Sequence, residues 1–76
     1  MLYGPVSIDP EVMSGTPVFA GTRVPIQTLF DYIEGGDDIS EFLDDFPSVS
    51  KEAAIALLQM AKKTLTSEKL LNENFA

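Results

Sequence analysis

The sequence predicts a small, mainly α-helical domain that begins with a short β-hairpin. Residues 25–34 and 38–46 each place apolar side chains at the i, i+3, i+4, i+7 spacing of one helical face, and residues 50–65 are apolar over most of their first half. Before them, residues 16–25 contain two prolines, one glycine and short β-forming pairs. Such a composition is typical of a tight turn that leads into a helix.

The composition excludes several classes of site. The chain has 76 residues, enough for one domain with a thin core, and its hydrophobic content of 45% is too high for disorder. It contains neither cysteine nor histidine. Disulfides, thiolate metal sites and a histidine general base are therefore excluded, and we expect no enzymatic activity and no cofactor or metal.

The charge disfavours nucleic acid as a partner. Twelve acidic and five basic residues give a net charge of −7, whereas nucleic-acid binders normally present clustered Lys and Arg. The acidity suits a basic protein partner, or it serves solubility alone.

The longest apolar run, residues 53–58, is far too short for a membrane span, so we expect a cytoplasmic protein. Because so small a core gains from association, we also expect a homodimer.

The N-terminal third is predicted to be extended. Val6–Ile8 alternates as a short strand that ends at Asp9-Pro10, and residues 11–15 form a loop or one helical turn. Residues 18–24 are predicted to form a hairpin with a two-residue type II′ turn at Gly21-Thr22.

Three helices are predicted to follow. The first begins at Pro25 and ends near Glu34, before the Gly35-Gly36 stop. The second starts at Asp38, with Glu41 in the N3 position of a capping-box-like pattern, and is stopped by Pro47.

The third helix has Ser50 as its N-cap and extends at least to Leu65. Its first half is apolar nearly all round, which predicts either a central helix or half of a dimer interface. We therefore expect a single domain over 1–76, with a β region at 1–25, a helical region at 26–65 and a C-terminal tail at 66–76. The tail contains three large apolar residues that are candidates for binding a partner: Leu70, Leu71 and Phe75.

The second and third helices have the lengths and the short connection of a helix-turn-helix. In a DNA-reading version the start of the third helix contacts bases. The candidate DNA-contacting residues are Ser48, Ser50, Lys51 and Gln59. Acidic side chains on the second helix would approach the phosphates, which argues against this use.

Arg23, the only arginine, has three interpretations. It pairs with a carboxylate such as Asp9, contacts a phosphate, or enters an acidic pocket of a partner.

An acidic cluster on the second helix is best interpreted as a solvated helix face, although several carboxylates together also occur in metal sites. Its members are Asp37, Asp38, Glu41, Asp44 and Asp45.

The chain resembles a family of short prokaryotic domains. The resemblance rests on Gly15, Pro17, Gly21-Thr22-Arg23, Pro25, Gly35-Gly36 and Asp45-Phe46-Pro47. The family is the domain-of-unknown-function family numbered four hundred and thirty-three. The resemblance implies a compact, mostly helical domain with an N-terminal β-hairpin and a homeodomain-like helix-turn-helix. It also implies association with toxin–antitoxin operons, in which some members act as antitoxins toward PIN-type ribonucleases.

Together these observations predict an antitoxin-like module. It would bind a partner toxin, with a PIN-type ribonuclease as the candidate, and occlude its active site without chemistry of its own. The alternative is a transcriptional regulator that binds DNA through the helix-turn-helix. Arg23 and the three apolar tail residues are the predicted partner contacts in the first case.

Overall fold

The structure, a computed structural model, describes residues 1–67 and confirms the predicted fold class. Three short strands, β1 (Leu2–Tyr3), β2 (Val6–Ser7) and β3 (Val18–Phe19), form one antiparallel sheet in the order β1-β2-β3. Three helices follow: α1 (Ile26–Glu34), α2 (Ile39–Asp45) and α3 (Lys51–Leu65). The fold is mainly α, with a small N-terminal sheet.

The first hairpin lies earlier in the chain than the sequence predicted. Tyr3 pairs with Val6 across a turn that begins at Gly4, whose φ is 57°. A two-residue turn with glycine in the first central position is what type II′ geometry requires. The strand predicted at Val6–Ile8 is therefore present as β2, whereas β1 was not predicted. A two-residue strand is too short to show an alternating pattern.

The predicted turn at Gly21-Thr22 is wrong by one residue. The Phe19 carbonyl accepts the backbone N–H of Thr22 at 3.0 Å, so the turn spans residues 19–22. Gly21 is then the third residue of the turn, with φ of 78°, where type II turns need glycine. The returning arm is not a strand and pairs with β3 only at an isolated bridge between Val18 and Pro25.

The helix ends match their predicted signals closely. Pro25 is the N-cap of α1 and not its first helical residue. After α1, the Gly36 N–H donates to the Ile33 carbonyl at 3.1 Å and the Asp37 N–H donates to the Tyr32 carbonyl at 2.9 Å. These are the two bonds of a Schellman motif, and Gly36 supplies the positive φ of 90° that the motif needs.

The caps of α2 and α3 are confirmed. An Asp38 carboxylate oxygen accepts the Glu41 N–H at 3.0 Å, and the Ser50 hydroxyl oxygen accepts the Ala53 N–H at 3.0 Å. Residues 46–50 join the two helices, in the element order of a helix-turn-helix. Of the α3 side chains, Ala54 and Leu57 are buried, whereas Ile55 is 40% exposed. One part of the largely apolar first half of α3 therefore faces solvent, and its role in a dimer stays a prediction.

The core lies where the sheet meets the helices. Phe42 of α2 is fully buried, and its ring centroid is 5.8 Å from that of Phe19, 5.6 Å from that of Tyr32 and 5.2 Å from that of Phe46. The buried residues of the core cluster are Val6, Phe19, Val24, Leu29, Phe42, Val49, Ala54 and Leu57. Every layer of the fold contributes to this cluster, so the sheet and the helices form a single domain core.

Candidate functional site

Residues 20–25 form a compact loop that joins β3 to α1. The Thr22 hydroxyl donates to the Phe19 carbonyl at 2.8 Å and accepts the Val24 N–H at 3.0 Å. The Ile26 N–H, at the start of α1, donates to the Pro17 carbonyl at 3.0 Å. These bonds explain the presence of Thr22 by the structure of the loop, which holds β3 against the start of α1.

Arg23 projects from this loop and is exposed. The suggested pairing with Asp9 is wrong, since no ion pair joins the two side chains; an Asp9 carboxylate oxygen accepts the Glu11 N–H at 2.9 Å. No ion pair of Arg23 is found with any carboxylate among residues 1–67. Its two other interpretations, a phosphate contact or a contact with a partner protein, stay predictions.

The structure brings together three of the four candidate DNA-contacting residues. Ser48, Ser50 and Lys51 are all exposed around the start of α3. The Ser50 oxygen already accepts a backbone N–H as the helix cap. Gln59 is exposed too, but eight residues of helix separate it from Lys51 by about 12 Å along the axis and about 80° around it. Gln59 therefore does not belong to the cluster at the helix start.

The acidic cluster on α2 and the residues before it is a solvent-facing surface. All five of its members are exposed: Asp37, Asp38, Glu41, Asp44 and Asp45. We call this set the acidic surface. Residues 1–67 contain no group of three or more acidic, histidine or cysteine side chains arranged to hold a metal ion.

Neighbouring charges shift the pKa values of this surface. A hydrogen bond with Asp37, and then repulsion from Asp37 and other carboxylates, raises the pKa of Glu41. The pKa of Asp38 is lowered, first by a hydrogen bond from the Ser40 hydroxyl and then by the backbone N–H of Glu41. The Tyr32 hydroxyl donates to an Asp45 carboxylate oxygen at 2.5 Å, which raises the pKa of Tyr32 to about 12. Neighbouring carboxylates thus contribute to the raised pKa values of Glu41 and Tyr32, whereas local hydrogen bonds lower the pKa of Asp38.

Exposed apolar side chains form the feature that the sequence reasoning missed. In β1, Leu2 is 68% and Tyr3 is 51% exposed, and in α3 Leu65 is 66% exposed. The signal that could have located the first group is Gly4-Pro5, a turn pair that directly follows two residues with strand propensity. No pocket is found in the part of the chain that the structure describes, so these residues lie on open surface.

The predicted partner contacts Leu70, Leu71 and Phe75 lie outside the described residues. Within residues 1–67, no helix has both the length and the hydropathy needed to cross a bilayer.

Comparisons with known proteins place the chain within a group of related domains. Residues 6–61 match the family model described as "Protein of unknown function (DUF433)". The uncharacterized protein y4eO of Sinorhizobium fredii (strain NBRC 101917 / NGR234) is 34% identical over 47 residues, which cover 62% of this chain and 21% of that protein. The chain thus spans about a fifth of the length of this curated relative.

A solved structure shares the fold. The crystal structure of a DUF433 member from Anabaena variabilis ATCC 29413 superimposes with a TM-score of 0.66 at 27% identity. The match covers 92% of this chain and 67% of that chain.

Proposed function

The chain belongs to the DUF433 family, and we propose that this member is an antitoxin-like module that binds a partner toxin and occludes it. The family description assigns no activity, so the proposal depends on the surface of this chain. The observation that supports it best is the acidic surface next to an exposed apolar residue. Ile33, 41% exposed, lies in the last turn of α1, shortly before that surface begins.

Such a surface matches the face of an enzyme that binds RNA. A ribonuclease attracts phosphates with basic residues, and an acidic protein of complementary shape competes for the same face. Exposed apolar groups then add contact area that excludes water. A PIN-type ribonuclease is the partner class to test first, because the sequence resemblance implies it. Inhibition would result from covering the active site, with no reaction performed by this chain.

Co-expression with the product of the neighbouring open reading frame tests the proposal. We expect rescue of growth and co-purification of the two proteins. The complex should weaken as salt is raised, because screening reduces attraction between opposite charges. If the neighbouring protein is toxic and this chain neither rescues growth nor co-purifies with it, the proposal is rejected.

A pair of charge reversals locates the contact. Glu41→Lys lies within the acidic surface, whereas Glu52→Lys makes the same change in the first turn of α3. We expect the first to weaken binding of the toxin at least ~10-fold and the second to change it much less. Equal effects would show that only the total charge matters.

The tail and Arg23 keep their predicted roles as partner contacts. Replacing Leu70, Leu71 and Phe75 together with serine in the full chain should abolish rescue. Replacing the polar tail residues Asn72 and Asn74 with serine is the matched control and should leave rescue intact. Arg23→Ala should weaken the complex if the guanidinium enters an acidic pocket of the toxin.

DNA binding is the second candidate, favoured by the exposed cluster at the start of α3. Ser48 and Lys51 are exposed around the start of α3, and in DNA-binding helix-turn-helix proteins this part of the second helix contacts bases. A gel shift with the DNA upstream of the gene, at low salt, tests this function. We expect Lys51→Ala to weaken any shift, and the absence of a shift from the unmodified protein would reject DNA binding by this chain alone.

A further inference from the structure

We propose that two copies of the chain associate through strand β1, antiparallel and about a twofold axis at Leu2, to form a continuous six-stranded sheet. This interface joins two identical copies of the chain. It does not depend on the binding of a toxin or of DNA.

The backbone of β1 has one free edge. Met1 and Ile8 exchange two backbone hydrogen bonds. The Ile8 N–H donates to the Met1 carbonyl at 2.8 Å, and the Met1 amino group donates to the Ile8 carbonyl at 2.7 Å. Antiparallel pairs alternate between bonded and non-bonded positions, so the Leu2–Ser7 pair is non-bonded. The N–H and C=O of Leu2 therefore point away from β2, towards the open side of the sheet.

The side chains at this edge are apolar and accessible. Leu2 is 68% and Tyr3 is 51% exposed. Edge strands in stable monomers are usually protected by charged side chains, by proline within the strand or by a covering segment. Neither residue of β1 is charged or proline, and β1 has only β2 as a strand neighbour in the described chain.

Electrostatic repulsion between two copies is weaker when they meet at the β1 edge than when they meet through the acidic surface. Two chains that each have a charge of −7 repel one another, and the one charged group of residues 1–8 is the Met1 ammonium, which donates to the Ile8 carbonyl. Approach through the acidic surface would instead bring five exposed carboxylates of each copy together. The sheet edge is thus where two identical acidic domains meet with little local repulsion.

The register follows from the free backbone groups. Pairing Leu2 with Leu2 of a second copy forms two N–H···O=C bonds across the twofold axis. Gly4, the next outward position, has a φ of 57° and has already left the strand, which excludes a register that uses it. In the remaining register, Tyr3 of one copy is opposite Met1 of the other.

A cysteine scan tests this register, because the chain contains no cysteine of its own. In a bonded antiparallel pair the Cα atoms lie about 5.5 Å apart, a separation that a disulfide can span. In a full-length chain tagged at the C-terminus, Leu2→Cys should give a disulfide dimer rapidly with oxidised glutathione. Tyr3→Cys and Leu65→Cys should form one much more slowly. Equal rates for the three variants would overturn the proposed register.

Charge at the edge tests the interface itself. Sedimentation velocity over a concentration series should show a reversible dimer for the unmodified chain. Leu2→Lys should raise the dimer dissociation constant at least ~10-fold, because it places like charges directly opposite each other. Leu65→Lys is the matched control, since Leu65 is 66% exposed on α3, and it should leave the dimer intact.

Salt distinguishes this interface from binding to a basic protein. Screening reduces the repulsion between two acidic copies, so the dimer should tighten as the salt concentration rises. A monomer at every concentration would overturn the proposal, as would a dimer that survives Leu2→Lys. Loss of the dimer in Leu65→Lys alone would place the interface on α3 instead. Thermal unfolding of each variant at low concentration verifies that the fold is intact.

Discussion

Thr22 shows at the scale of one residue what the Gly-Thr-Arg-x-Pro segment contributes. Its hydroxyl bonds to both sides of the turn, to the Phe19 carbonyl and to the Val24 N–H. Gly21 beside it has the positive φ that other residues adopt only with strain. The segment therefore needs its glycine and threonine for loop geometry, whereas the Arg23 side chain remains exposed.

Two substitutions of Thr22 distinguish the contribution of its hydroxyl group to stability from that of its methyl group. Thr22→Val keeps the branched side chain but removes both bonds of the hydroxyl, leaving the N–H of the buried Val24 without its acceptor. We expect a loss of about 1–3 kcal/mol in the free energy of unfolding. Thr22→Ser retains the hydroxyl and should lose less. Urea denaturation measures both, and equal losses would show that the methyl group matters more than the hydroxyl.

Glu41 gives a pH dependence of definite sign. The pKa of Glu41 is raised by the hydrogen bond with Asp37 and by surrounding carboxylates. The folded state therefore holds this proton at higher pH than the unfolded state does, and its contribution to stability falls as the pH rises through the window above 4.5. The lowered pKa of Asp38 acts oppositely, and its contribution is lost as the pH falls below 3.8.

The variant Glu41→Gln isolates the first effect. It should unfold at a higher temperature than the unmodified chain at pH 7, and the difference should vanish in acid where Glu41 is protonated. Glu11→Gln, at an exposed position outside the acidic surface, is the control. A difference for Glu41→Gln that does not depend on pH would contradict the assignment.

At the scale of elements, the helices were the most predictable part of the fold. Asp38 and Ser50 are strong N-cap residues, and a glycine pair ends α1, so each boundary had a local chemical cause. The sheet was harder to predict because a two-residue strand such as β1 is defined by its partner. The turn was displaced by one residue because Gly21 can provide a positive φ in either type of turn.

The candidate site was less predictable than the fold. Ser48, Ser50 and Lys51 came together because helix starts are local features. The exposure of Leu2 depends on which strand lies at the edge of the sheet, and this is a property of the tertiary structure. A binding surface on an open face also needs no special backbone geometry, so no local sequence pattern predicts it.

The cap of α3 can be tested by a matched pair of serines. Ser50→Ala removes the acceptor of the Ala53 N–H and should cost about 1 kcal/mol of stability. Ser48→Ala, also exposed but with no capping bond in the described chain, should change stability by less than about 0.5 kcal/mol. Chemical denaturation provides both values. A similar loss for the two variants would argue against the cap.

At the scale of the whole molecule, Phe42 joins the layers. Its ring is fully buried and lies beside rings from β3, from α1 and from the end of α2. A domain this small has few such residues, so each contributes a large share of a total stability of about 5–15 kcal/mol.

Truncating Phe42 should therefore come close to unfolding the domain. We expect Phe42→Ala to lose about 3–5 kcal/mol of stability and to lower the unfolding temperature sharply. Ile55→Ala is the control, because Ile55 is 40% exposed and its truncation should cost much less. Urea denaturation followed by circular dichroism compares them. A small effect at Phe42 would mean that the surrounding rings close the cavity.

The bond between Tyr32 and Asp45 gives the protein a built-in optical reporter. The chain has no tryptophan and only two tyrosines, so its tyrosine emission comes from Tyr3 and Tyr32. A phenol that donates to a carboxylate loses fluorescence by transferring its proton in the excited state. Separation of α1 from α2 should therefore brighten Tyr32, while changes at the sheet edge should alter Tyr3, and single Tyr→Phe variants would let each be followed without a label.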